Sequence, residues 1–261
     1  MEWFGSWTNL KRCFKFELNE VRDIIISILV AGFILSFRYW GGTEFSWSIG
    51  LKNFLGMTLV AAFSILFVIT ATKIFGVMRY TEVVYKIWPL GLILSLIFAT
   101  FTNGWALVFL IGGFLYNKIG NLRIGELFQE LPLFTKSRIA SVIPFAHFFL
   151  AIFFKILILS GKDTLLIRTG LIFNLLMAIY SVLIWVQFER FFVRKQSNLN
   201  SPGYDIWYCS RPWSIFMILF FILFSVLIYN TNIFISIIIS ALAGSIVALS
   251  YFWLRTIEKK G

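Results

Sequence analysis

Residues 139–160 and 165–188 are two long apolar runs joined by a short polar turn at Gly161, Lys162 and Asp163. Each run is close to the roughly 20 residues that a helix needs to cross about 30 Å of hydrocarbon. A hairpin of that length and apolarity predicts an integral membrane protein, because a helix satisfies its own backbone groups where no water is present. The first run carries the sole histidine, His147, and the second carries Asn174, Ser181 and Gln187.

The rest of the chain agrees. Hydrophobic residues make up 59% of the 261 positions and charged residues 13%, against about 25% charged in a soluble domain. The net charge of +11 does not indicate nucleic acid, because the cations sit in loops between apolar runs and not on one soluble face. Eighteen of the 23 Lys and Arg fall in alternate segments, beginning with the N-terminal one, and four fall in the segments between; the last, Lys155, is inside a run. That asymmetry predicts that both termini are cytoplasmic. It puts Cys13 and Cys209 on the same side, where reduced thiols are expected. No cleavable signal peptide is expected at the start of the sequence.

In order, Trp3, Trp7, Leu10, Phe14, Leu18 and Val21 share one helical face, so residues 1–23 read as an amphipathic segment that lies on the membrane or packs on the bundle. A single transmembrane domain is expected over 24–254, followed by a basic cytoplasmic tail, 255–261. Its crossings are expected near 23–40 (broken by Gly41 and Gly42), 53–72, 139–160, 165–188, 213–229 and 233–254. Two shorter runs, 87–101 and 105–116, flank Thr102, Asn103 and Gly104. They predict a re-entrant hairpin or two short helices. Residues 117–138 read as a surface loop, and 197–203 as the loop-like centre of the polar stretch 189–212. The expected fold is thus an all-α polytopic integral membrane protein with six transmembrane helices plus that insert.

Chemistry-bearing residues are few. The sequence has no HExxH, GxSxG or Walker loop, and a lone histidine does not build a zinc site. At 1.5 Å per residue, His147 lies about 12 Å and Asn174 about 16 Å from the cytoplasmic face, on antiparallel neighbours. A His147–Asn174 hydrogen bond is predicted, worth about 0.6 kcal/mol on the average for such pairs; a proton-handling or ligand role for His147 stays open. Asn174, Ala178 and Ser181, and separately Ser240, Gly244 and Ala248, form small faces suited to helix packing. Lys155 is placed to snorkel outward. No acid is expected at mid-membrane depth, which argues against an ion-coupled transporter.

Several segments resemble an archaeal-type branch of the site-2 protease family of intramembrane zinc metalloproteases. They are FELNEVRDIIISILVAGFILSFRYWG (16–41), YKIWPLGLILSL (85–96), FNLLMAIYSVL (173–183) and SRPWSIF (210–216). In that family one helix carries HExxH, and a later helix, with a Pro-containing segment, ends in Asp-Gly. Here the first slot reads VITAT, so Val68 and Thr72 stand for the histidines and Ile69 for the glutamate. Glu189 stands for the aspartate and Arg190 for the glycine. Pro144, Ala146 and His147 fall where the family often has Gly-Pro-x-Ala-Asn. The resemblance implies a family fold with hairpin 139–188 packed directly on helix 53–72, a prokaryotic cell membrane, and no zinc. It also implies a non-catalytic binder or regulator of membrane proteins, its partners being the bilayer and the transmembrane segment of another protein. A small-solute transporter or channel, and a divergent active intramembrane metalloprotease, are the alternatives.

Overall fold

A computed structural model describes residues 14–41, 45–118, 131–183 and 201–258. The amphipathic stripe before Phe14, most of the loop after Asn117, the end of the second hairpin run including Gln187, and Glu189 lie outside the described residues.

The helices are α1 (Leu18–Ser36), α2 (Trp47–Met78), α3 (Pro89–Phe101), α4 (Leu133–Leu159), α5 (Leu165–Val182), α6 (Pro202–Cys209), α7 (Arg211–Asn230) and α8 (Ile233–Glu258). Five of them, α2, α4, α5, α7 and α8, are long and apolar enough to cross a membrane. α1 is not among them. Its first two turns carry Glu20, Arg22 and Asp23, which leaves only the stretch from Ile24 onward free of charge. α2 runs beyond the expected 53–72 at both ends, and its 32 residues extend about 48 Å.

The fold is not purely helical. β1 (Thr81–Ile87) and β2 (Gly112–Lys118) pair antiparallel, with Thr81 opposite Lys118 and Ile87 opposite Gly112. The β1 sequence TEVVYKI alternates, with Thr81, Val83 and Tyr85 buried and Glu82 and Lys86 exposed. That is the period-2 pattern of a strand with one covered face. Between the strands, Pro89 opens α3 at its first turn, where the missing N–H costs nothing. The turn at Asn103 and Gly104, both at positive φ, reverses the chain. Because β1 and β2 are paired, the two ends of the insert lie side by side. The run 105–116 is not a second short helix. The chain comes back extended, and Leu110 N–H donates to Ser95 Oγ (2.8 Å) while Ser95 donates to the Gly91 carbonyl (2.8 Å). A Cβ at Gly91 would stand 2.2 Å from the Leu110 carbonyl oxygen, so a glycine is required for this approach.

α4 sits at the centre. Ile139, Ile143, Ala146 and Leu150 pack in one buried cluster with α1, α2, α3 and the strands. Ala140, Phe148, Ala151 and Phe154 pack in a second with α5, α6 and α7. α4 and α5 both pack directly on α2, as expected of hairpin 139–188. The turn between α4 and α5 is closed by the Asp163–Arg168 ion pair. Hydrogen bonds from Arg168 hold the Asp163 carboxyl below the usual carboxylate range. The pairing is therefore complete above that range and is lost as pH falls through the lowered value. The pair is solvent-exposed, so its share of stability is small.

Two further expectations are corrected. α5 ends at Val182, where Leu183 turns extended (ψ 140°), and does not continue unbroken to 188. Residues from Pro202 form α6, where a loop was expected, because the Ser201 hydroxyl caps the helix by accepting the Tyr204 N–H and Pro202 occupies its first turn. Ser240 and Gly244 do face a neighbour: a Cβ at Gly244 would lie 3.1 Å from the Phe216 carbonyl oxygen. The other faces of α8, including Leu242, Ile246 and Leu249, are exposed and apolar.

Candidate functional site

A cavity of about 100 Å³ lies where α2, α4 and α5 meet the returning insert. α2 contributes Ile65, Val68 and Ile69; α4 contributes Ile143 and His147; α5 contributes Met177, Tyr180 and Ser181. The insert closes it with Tyr85, Trp88 and the stretch 109–114, and Ser201 and Pro202 reach its rim.

Its polar groups are fixed by a network. Asn174 Nδ2 donates to the Gly170 carbonyl (2.8 Å) and to Ser64 Oγ (2.9 Å). A carbonyl only accepts, so these bonds set the orientation of the amide and turn Asn174 Oδ1 toward His147 Nδ1, 2.9 Å away. Nδ1 must then carry the proton and donate it, which leaves Nε2 as the lone-pair nitrogen. The structure thus brings His147 and Asn174 together, as the spacing about Gly161 indicates. It adds Ser64 of α2, 110 positions from Asn174, which no local pattern reveals. Asn174 is completely buried and His147 is 1% exposed.

Three of the hydroxyl protons around the wall are also committed. Ser181 donates to the Ala178 carbonyl and Tyr180 to the Leu107 carbonyl. Ser27 Oγ donates to the Asp23 carbonyl (2.9 Å), so the Tyr85 hydroxyl, 2.8 Å from Ser27 Oγ, is the donor of that pair.

The slots named by the resemblance divide. Val68 and Ile69 line the cavity. Thr72 is buried and donates to the Val68 carbonyl at 2.7 Å. Glu189 and Gln187 lie outside the described residues. Lys155 is half-buried near the end of α4. The fit to zinc is poor. The described wall offers one metal-type donor, His147 Nε2, and no three described His, Cys, Asp or Glu residues group to hold an ion, whereas a catalytic zinc takes three protein ligands.

Sequence reasoning missed a second polar centre beside the cavity. Glu20 (2% exposed), Asp23 (4%) and Lys73 (4%) are buried together. Lys73 Nζ donates to Glu20 Oε2 at 2.8 Å and to the Lys15 carbonyl at 2.9 Å. Glu20 Oε1 accepts the Tyr85 N–H, and Asp23 Oδ2 accepts the Ile87 N–H. The carboxylates of α1 therefore occupy the outer edge of β1, where a third strand would otherwise bond. The only sequence signal was the run NEVRD opening an apolar helix, which reads equally well as a helix start in water. Asp205 is likewise buried and lies near the Tyr116 hydroxyl.

The long apolar helices with exposed apolar faces define the class: this is a multi-pass, largely helical integral membrane protein. No protein-family model, curated protein or solved structure matches the chain.

Proposed function

We propose that the chain is a non-catalytic relative of the site-2 proteases that holds a membrane segment of another protein. α1 would supply the sixth crossing, and both termini would be in the cytoplasm of a prokaryotic cell. The observation that carries this reading is the cavity itself. It lies against the VITAT segment of α2, where Val68 and Ile69 provide apolar contact in place of a ligand and a general base. Its one histidine is engaged with Asn174. Such a wall is suited to packing and not to activating water.

Three experiments test it. Lys162→Cys and Tyr208→Cys, each in a background free of Cys13 and Cys209, are expected to label from opposite faces of the membrane, Tyr208→Cys from the cytoplasm. Labelling of both from one face refutes the topology. Protein purified from zinc-supplemented membranes is expected to hold far less than one zinc per chain, and a photo-reactive residue at Met177 is expected to crosslink to an apolar segment of a membrane protein. Near-stoichiometric zinc that disappears in His147→Ala or Glu189→Ala would replace this reading with the divergent metalloprotease.

A further inference from the structure

We infer that the cavity is a recognition site for an apolar group bearing one hydrogen-bond donor, with His147 Nε2 as the acceptor that reads it. This inference deepens the proposed holding of a membrane segment but stands on the cavity alone. It applies equally to a free amphiphile and to a side chain presented by a bound helix.

The argument is one of proton accounting. His147 Nδ1–H donates its hydrogen bond to Asn174, whose own amide is held by Gly170 and Ser64. The hydroxyl protons of Tyr85, Tyr180 and Ser181 are spent on other acceptors. Among the described side chains of the wall, Nε2 is the strongest acceptor left for an occupant; Trp88 also lines it and carries an indole N–H. A buried acceptor left without a donor costs free energy, as does a polar ligand group left without a partner. An occupant with an O–H or N–H relieves the first cost at Nε2, and one that presents only a carbonyl or carboxylate leaves that cost in place. Around this atom the wall is apolar and aromatic, including Ile69, Trp88, Phe109 and Met177, so the body of the occupant must be apolar as well. About 100 Å³ is room for a single small ring or about seven to ten waters, given that one water needs roughly 10–15 Å³ of such space.

The full-length protein in nanodiscs, labelled with ¹⁵N-histidine, gives one imidazole to observe, because the chain has a single histidine. The expected spectrum is that of the Nδ1–H tautomer. Phenol is expected to move the Nε2 resonance toward its hydrogen-bonded position and to bind about tenfold tighter than toluene, the shape analogue without a donor. Met177→Trp, which fills the cavity, should abolish the phenol shift and leave the tautomer intact. A second arm uses an apolar transmembrane peptide carrying a central Tyr or, in its counterpart, Phe. A Tyr-dependent Nε2 shift assigns the donor to a bound helix, whereas a phenol-only response assigns it to a free molecule and detaches the site from the segment-holding function. An Nε2–H tautomer, equal response to phenol and toluene with no Tyr preference, or a phenol shift that survives Met177→Trp overturns the inference.

Discussion

Glu20→Ala is expected to destabilise the protein by about 3–5 kcal/mol, the range for breaking one half of a buried ion pair. The substitution does two things at once. It leaves the Lys73 ammonium, 4% exposed, with only the Lys15 carbonyl and the face of Phe16, 4.6 Å from Nζ. It also strips the Tyr85 N–H of its acceptor, so the outer edge of β1 loses a hydrogen bond in a place water does not reach. Glu20→Gln keeps one acceptor for two donors, the Tyr85 N–H and Lys73, and turns its amide NH₂ toward the other, so it should cost about as much. The double change Glu20→Leu with Lys73→Met removes both ions together and should recover much of the loss, since a matched apolar pair often equals a buried ion pair. Equilibrium unfolding in mixed micelles measures all three. Amide exchange at Tyr85 and Ile87 should accelerate in Glu20→Ala before global unfolding. A loss below about 1 kcal/mol for Glu20→Ala would mean that water or another partner reaches Lys73.

This ionic centre also shows why part of the fold was hidden in the sequence. Hydropathy reports how long an apolar run is, and it placed α7 and α8 within a few residues; α4 begins six residues earlier than expected, at Leu133, inside the stretch read as a surface loop. It does not report which charges are buried. Glu20 and Asp23 looked like the solvated start of a crossing, yet they face inward because β1 offers them backbone N–H groups. The strand itself was masked by its company. TEVVYKI alternates clearly, but only its last residue, Ile87, fell in the apolar run 87–101, and the rest passed for the loop before it. The end of α5 at Val182 had no Gly or Pro to mark it. His147–Asn174 was legible for a simple reason: both lie thirteen or fourteen positions from Gly161, so antiparallel helices joined there must bring them level. Ser64 and Tyr85 reach the same region from distant parts of the chain, and only tertiary packing unites them with that pair.

Phe173→Ala is the second substitution expected to act strongly, with a loss of about 3 kcal/mol, the low end for truncating a buried Phe. Phe173 is completely buried. Its ring meets Phe109 edge-on with centroids 4.9 Å apart and His147 edge-on at 6.4 Å. It thereby ties the extended return of the insert to α5 and props the imidazole against its neighbours. In a bilayer the unfolded side chain stays in apolar surroundings, so the cost does not come from exposure to water. It comes from dispersion contacts that lipid packs less densely and from the void left behind. Phe173→Leu fills most of that void and should cost no more than about 1.5 kcal/mol. The void would also open beside the cavity and free the His147 ring to tilt, so Phe173→Ala should bind phenol and toluene with nearly equal affinity while Phe173→Leu still distinguishes them. Thermal unfolding of the three proteins in the same detergent, together with the paired ligand titrations, measures both effects. If Phe173→Ala unfolds at the wild-type temperature and still prefers phenol, the insert is held to α5 by other contacts and the imidazole is oriented by Asn174 alone.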